Sequence, residues 1–108
     1  MKPKQLPAPL LSLSVMALLP LLPLAANAQD MTTMRSLAAT CANCHGTNGV
    51  SRGEVASLAG APAEATIAKM AAYKSGALTA TVMHQIAKGY TDEQIRQLAA
   101  YFAAQPAK

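Results

Sequence analysis

The chain of 108 residues has room for one small domain, and 52% of its residues are hydrophobic. Its formal net charge of +4 includes Lys2 and Lys4 at the extreme N-terminus, and residues 29–108 alone carry seven basic and five acidic side chains. A nearly neutral domain without a basic stripe interleaved with aromatic residues argues against nucleic-acid binding.

The first 28 residues have the features of a signal peptide. A basic start is followed by a short apolar run at residues 10–19, and Ala26-Asn27-Ala28 supplies the small residues that a signal peptidase reads. We therefore predict cleavage after Ala28, export to the periplasm, and a mature domain of residues 29–108 with no stable membrane insertion. The alternative is a retained membrane anchor, since the apolar character continues past residue 19, but two prolines interrupt it.

The first half of the mature domain predicts one helix followed by an irregular stretch. Over residues 31–44, apolar side chains recur at three- and four-residue steps, which is the pattern of an amphipathic helix. Repeated glycines between residues 46 and 60 then disfavour regular structure. This stretch is long enough to wrap around a flat ligand.

Two further segments in the second half have helical signals of unequal strength. A helix is predicted over residues 63–74, with Pro62 in its first turn and Gly76 as its stop. The segment 78–88 contains residues that form helices poorly, so we expect an irregular start and a C-terminal cap at Gly89.

The last helix has the clearest signals. Thr91-Asp92-Glu93-Gln94 is a capping box that opens it, and Pro106 closes it. Its apolar residues follow the i, i+3, i+4, i+7 pattern: Ile95, Leu98, Ala99 and Phe102. Because no segment reads as a strand, we predict an all-α domain. Alanine is abundant and large side chains are few, so a domain of this size needs a disulfide, metal or cofactor to complete its core.

Cys41-Ala42-Asn43-Cys44-His45 is the C-x-x-C-H signature of haem attachment. On a helix, residues three and four apart lie on one face, so Cys44 and His45 both neighbour Cys41. Two thiols can then bond to the two vinyl groups at one haem edge while the imidazole ligates the iron. We predict one covalently bound haem c, since the chain has only 2 cysteines.

Three other uses of these cysteines are weaker. A disulfide or a thioredoxin-like redox pair leaves His45 unexplained, and a redox pair is expected on a βαβ scaffold that this sequence lacks. A zinc site needs four ligands, and the only other histidine, His84, has no partner at ligand spacing.

The sixth iron ligand is predicted to be Met83. It lies in the less regular segment after Gly76, far enough from His45 in sequence for the chain to reach the opposite haem face. His84 is its rival, and only one of the two can face the iron because neighbours on a helix point about 100° apart. If His84 is not the ligand, we expect it to be solvated.

The other methionines of the mature domain are predicted to have structural roles. Met34 and Met70 occupy inward apolar positions of helices, where a methionine usually packs. Met31 lies close to the predicted mature N-terminus, where we expect it to fray or pack.

The mature chain resembles the class I small cytochromes c, and among them most closely the cytochrome subunit of flavocytochrome c sulfide dehydrogenase. The similar strings are Cys41-Ala42-Asn43-Cys44-His45-Gly46-Thr47-Asn48-Gly49, Tyr73-Lys74-Ser75-Gly76, Met83 and Ile86-Ala87-Lys88-Gly89-Tyr90. The first string identifies the superfamily, and the later ones point to the sulfide dehydrogenase type.

The resemblance implies a class I cytochrome c fold, in which about four helices enclose one haem and the first and last helices cross. It assigns haem attachment to Cys41, Cys44 and His45 and axial ligation to Met83. It also implies that the protein takes electrons in the periplasm from a separate flavoprotein subunit that oxidises sulfide. The chain has no Gly-rich flavin-binding motif, so the sulfide chemistry would reside in that partner.

The predicted function is therefore outer-sphere electron transfer rather than catalysis by this chain, with docking at an exposed haem edge near Cys41 and Cys44. Two alternatives keep the haem: a free-standing carrier for another dehydrogenase or an oxidase, and a haem sensor or small enzyme with an open iron site. A third, a haem-free thiol module, keeps only the cysteines.

Overall fold

A computed structural model describes Met1, Lys4 and residues 23–107, with the side chains of the first helix described from Asp30 onward. The apolar run at residues 10–19 lies outside the described residues. Over residues 23–107 the regular structure is entirely helical, which confirms the all-α prediction. The elements are four α-helices, α1 (Pro23–His45), α2 (Ala63–Ser75), α3 (Met83–Ile86) and α4 (Asp92–Ala103), and two 3-10 turns, Thr47–Gly49 and Ala87–Gly89. None of the described helices is both long and apolar enough to cross a membrane.

Helix α1 begins earlier than the sequence pattern indicated. It starts at Pro23 instead of Met31 and passes without interruption through Ala28, the predicted cleavage site. Proline suits a first helical position because its fixed φ is helical and its missing N–H would have no partner there. The alanines that follow favour the helix without any apolar periodicity, which explains why periodicity alone missed this part. The helix ends at His45, the last residue of the C-x-x-C-H motif.

Helix α2 and the segment after it differ in how they end. Gly76 caps α2 in the left-handed conformation at φ 83°, and its N–H donates to the Tyr73 carbonyl, as predicted from the glycine. Gly89 is not such a cap, because it lacks a positive φ and is the last residue of a 3-10 turn. The chain leaves that turn because Tyr90 becomes extended, which leads directly into the first residue of the capping box.

Helix α4 forms as predicted and carries most of the core. The Gln94 N–H donates to Thr91 Oγ1 at 3.1 Å, and the Thr91 N–H donates to Gln94 Oε1 at 2.9 Å, which completes the capping box. All four residues of its apolar face are buried: Ile95, Leu98, Ala99 and Phe102. Through this face α4 packs against both α1 and α2.

The loop after α1 folds back beneath α4 at Gly49. This glycine is buried at φ 76°, and a Cβ atom there would lie 2.7 Å from Phe102 Cδ1, so only glycine fits. Its carbonyl accepts hydrogen bonds from the Leu58 and Ala59 N–H groups at 2.8 and 3.1 Å. These two bonds close the loop, and they place Ala56 beside the end of α1.

Candidate haem-binding site

Three of the predicted site residues line one cavity. Cys41 and His45 approach it from α1, and Met83 approaches it from α3. The remaining wall comes from the loop and from the other helices: Ala56, Ser57, Leu58, Ala61, Ala65, Thr66, Lys69, Met70, Tyr73, Ile86, Tyr90, Ile95, Leu98 and Phe102. The cavity, together with the open solvent at its mouth, occupies about 910 Å³. This wall is predominantly apolar, as ligand cavities in proteins are.

The loop fixes the orientation and tautomer of His45. Its Nδ1 lies 2.6 Å from the backbone carbonyl oxygen of Ala56. A carbonyl only accepts, so Nδ1 carries the proton and donates, and in the neutral ring Nε2 keeps its lone pair. Proteins usually orient a metal-ligating imidazole in this way, by a hydrogen bond from the ring nitrogen that does not bind the metal.

The two cysteines differ in exposure. Cys41 is half-buried and lines the cavity, whereas Cys44 is exposed and lines a separate surface groove that also contains Val55. Neither forms a disulfide. Burial raises the pKa of the Cys41 thiol, and the nearby Cys44 adds to that rise. Catalytic redox cysteines have a lowered pKa, so the environment of Cys41 does not match a thioredoxin-like pair.

The side chains of Met83 and His84 point in different directions from α3. Met83 is the first residue of this helix and points into the cavity, while His84 is absent from the cavity lining. His84 is nevertheless not the solvated side chain expected, because it is half-buried and its Nδ1 is buried without a hydrogen-bond partner among the described residues. The two side chains diverge because successive helical residues are rotated by about 100°.

Met70 occupies an inward position of α2, as predicted, but it lines the cavity and not only the protein core. The residues of α2 that line the cavity are Ala65, Thr66, Lys69, Met70 and Tyr73. Thr66, Met70 and Tyr73 have the i, i+4, i+7 spacing of one helix face. An apolar pattern does not identify this face, because Thr66 and Tyr73 carry hydroxyl groups. The cavity therefore contains a second thioether besides that of Met83.

The remaining methionines divide between core and surface. Met34 packs against the core cluster of Ala38, Leu98 and Phe102, which confirms its predicted packing role. Met31 lies within α1 and is 51% exposed, so it neither packs nor ends the helix.

The chemistry of these side chains fits a haem. An imidazole with a free Nε2 and a thioether are suitable axial ligands for haem iron, and a thiol lines the same apolar space. Cys44 stands outside this lining, although it shares its face of α1 with Cys41 by spacing.

Comparison with known proteins gives the same answer. The family model described as cytochrome c oxidase, cbb3-type, subunit III, matches residues 28–102, about two thirds of the chain. No curated protein matches the chain. The matched region contains the haem attachment motif and all of α2, α3 and the 3-10 turns. The chain therefore belongs to the cbb3-type cytochrome c oxidase subunit III family, and it is a class I c-type cytochrome with the small all-helical fold of that class.

Proposed function

We propose that the mature domain is a periplasmic, monohaem electron carrier that moves one electron at a time between redox proteins. The observation that carries this proposal is the shared cavity of Cys41, His45 and Met83, in which the loop carbonyl of Ala56 holds the His45 ring. Bound haem supplies reversible one-electron exchange between ferric and ferrous iron.

The side chains of this chain have separate roles in that exchange. Cys41 and Cys44 would each hold the haem by adding to a vinyl group, with a carbon–sulfur bond formed and the thiol hydrogen going to the other vinyl carbon. His45 would ligate the iron through Nε2, and Met83 would supply a thioether that favours the reduced state. The apolar wall keeps water away from the centre and so tunes its potential.

Two exposed apolar areas support docking of a redox partner. Val82 and Ile86 flank Met83 and are 51% and 42% exposed. Val55, 44% exposed, lines the groove beside Cys44, where the docking surface was predicted. Transient electron-transfer complexes use small interfaces, and scattered apolar residues of this kind suffice for one.

The donor proposed from the resemblance is a flavoprotein that oxidises sulfide. The strings at residues 73–76 and 86–90 support it, and both lie beside the cavity, since Tyr73, Ile86 and Tyr90 line its wall. In this proposal the flavoprotein carries out the sulfide chemistry, and the cytochrome accepts its electrons singly.

The family match favours a second candidate, delivery of electrons to a terminal oxidase. The matched family is named for a subunit of a cytochrome c oxidase, and a free-standing carrier with the same domain would serve such an enzyme. Co-purification separates the two candidates. A flavin that elutes with the tagged full-length protein supports the first, and reoxidation of the reduced protein by oxidase-containing membranes supports the second.

The decisive experiment measures the mass of the exported protein and its visible absorption spectrum. Protein exported to the periplasm and matured there should start at Gln29 and carry the mass of one haem. The oxidised form should show a sulfur-to-iron charge-transfer band, which Met83→Ala abolishes and His84→Ala preserves. Polypeptide mass alone would refute the haem, and ready binding of carbon monoxide by the reduced wild type would indicate an open iron site and a sensor instead.

A further inference from the structure

Tyr90 connects two walls of the cavity. Its hydroxyl lies 2.9 Å from Thr40 Oγ1, and both residues are close in sequence to proposed haem ligands. Thr40 immediately precedes Cys41 in α1. Tyr90 ends the short helical segment that begins at Met83, and it also lines the cavity itself. One side-chain contact therefore joins the helix that holds the attachment motif to the segment that holds Met83.

The direction of this hydrogen bond follows from the proton count. Thr40 Oγ1 donates its only proton to the Leu37 carbonyl at 2.7 Å. The Tyr90 hydroxyl must therefore donate to Thr40. Tyrosine is a suitable donor here because its ring is rigid, with few rotatable bonds between the hydroxyl and the backbone.

The backbone of Tyr90 is held as well. Lys74 Nζ donates to the Tyr90 carbonyl oxygen at 2.9 Å and to Asp92 Oδ1 at 2.8 Å, so the end of α2 and the start of α4 meet at this residue. Ala87, between Met83 and Tyr90, is completely buried. The C-terminal end of the Met83 segment is thus firmly anchored.

The N-terminal end of the same segment has weaker support. Among the described residues, the only backbone hydrogen bonds of residues 79–82 beyond the regular helices are those accepted by the Val82 carbonyl, from Gln85 and Ile86. Segments with few such bonds open locally at low free energy. We therefore expect the connection to Tyr90 to contribute to the position of Met83, beside the packing of α3 against α2.

We propose that Tyr90 is a positioning residue whose hydroxyl, bonded to Thr40, keeps the Met83 sulfur in place at the wall of the cavity. The proposal rests on the proposed haem function. In this proposal Tyr90 does not contact iron. Tyr90 acts through Met83, because its hydrogen bond restricts the local opening of residues 79–90.

The test compares Tyr90→Phe with Tyr101→Phe in the mature, haem-loaded protein. Tyr101 also donates a hydroxyl hydrogen bond, to Asn48 Oδ1 at 3.0 Å, but it does not line the cavity. Loss of one ordinary hydrogen bond raises the open population about five-fold. We therefore expect carbon monoxide to bind reduced Tyr90→Phe about five-fold faster than wild type, with Tyr101→Phe unchanged.

A second readout distinguishes local opening from general destabilisation. In guanidinium, the sulfur-to-iron band of Tyr90→Phe should disappear at a lower concentration than its helical circular dichroism, and the two transitions should coincide in Tyr101→Phe. Thr40→Val, which removes the acceptor, should reproduce the effect of Tyr90→Phe, and Thr40→Ser should restore wild-type behaviour. The combined Thr40→Val and Tyr90→Phe variant should be no worse than either single variant.

These experiments distinguish failure of the positioning role of Tyr90 from failure of the proposed haem function. Equal carbon monoxide rates in wild type, Tyr90→Phe and Thr40→Val, in a wild type that shows the sulfur band, would overturn the positioning role alone. A wild type without haem or without that band would overturn the proposed function, and the inference with it.

Discussion

The Nδ1 atom of His45 donates a hydrogen bond to the carbonyl oxygen of Ala56 at 2.6 Å, across a separation of eleven residues. The orientation of the proposed iron ligand therefore depends on the loop, and the loop is closed at Gly49 by the hydrogen bonds from Leu58 and Ala59.

Substitution of Gly49 should disturb both the loop and the core. Gly49→Ala places a methyl group 2.7 Å from Phe102 Cδ1 at a φ of 76°, and overpacking together with the left-handed strain costs about 2–4 kcal/mol. Thermal unfolding of the haem-loaded protein measures the loss. Gly53→Ala is the matched control, because a Cβ atom there meets nothing within 4 Å, and it should unfold like wild type. Equal unfolding temperatures for the two variants would contradict the packing argument.

Replacing each of the two cavity methionines, Met83 and Met70, by leucine should have different effects. Met83→Leu should remove the sulfur-to-iron band and permit rapid carbon monoxide binding, whereas Met70→Leu should keep the band. Met to Leu preserves volume and usually costs less than about 1.5 kcal/mol, so neither change should unfold the domain. If Met70→Leu lost the band while Met83→Leu kept it, the axial ligand would be Met70.

The capping box of α4 should contribute measurably to stability. Thr91→Ala removes the side chain that accepts the Gln94 N–H and should lower the free energy of unfolding by about 1 kcal/mol. Thr91→Ser retains an acceptor and should restore most of that loss. Urea unfolding followed by circular dichroism gives both values, and an unaltered midpoint for Thr91→Ala would exclude a stabilising cap.

The ion pair between Lys74 and Asp92 predicts a dependence of stability on pH. The Lys74 hydrogen bond and then its charge hold the pKa of Asp92 below the ordinary value of 3.8. A depressed pKa gives stability that is present above pH 3.8 and is lost as the pH falls through the lower value in the folded protein. Asp92→Asn should therefore be less stable than wild type at pH 7, and the two should converge in strong acid.

The expected size of this effect is small, because the Asp92 side chain is 80% exposed and water screens the pair. Urea midpoints at a series of pH values measure it. Glu54→Gln, which removes an exposed loop carboxylate, is the control and should parallel wild type. A constant difference between Asp92→Asn and wild type down to pH 2 would show that the effect is not one of charge.

Local signals in the sequence predicted much of this fold. The Thr91 capping box, the Gly76 cap and the apolar face from Ile95 to Phe102 each depend on residues within two turns of one another, so their chemistry is complete in a short window. The predicted start of α1 was wrong, and so was the predicted cap at Gly89, which ends its segment as the last residue of a 3-10 turn. At the start of α1, the helix propensity of alanine acts without an apolar periodicity. At Gly89, the chain must enter the capping box through an extended Tyr90, and this requirement overrides the preference of glycine for a left-handed cap.

The predicted site residues Cys41, His45 and Met83 were proposed from the motif, the spacing and the resemblance. What the sequence does not contain is any local sign of the residues that orient them. Ala56 acts through its backbone carbonyl, so its side chain gives no signal, and Thr40 and Tyr90 are 50 residues apart. Contacts of this kind depend on tertiary packing, which a sequence pattern cannot reveal.

Within the part of the chain that the structure describes, the buried cluster between α1 and α4 is centred on Ala38, Leu98 and Phe102. On the proposed haem function, so small a centre leaves the haem-free polypeptide poorly protected, and proteases would remove such chains. The cellular amount of this protein should then follow the supply of iron and porphyrin even at constant transcription.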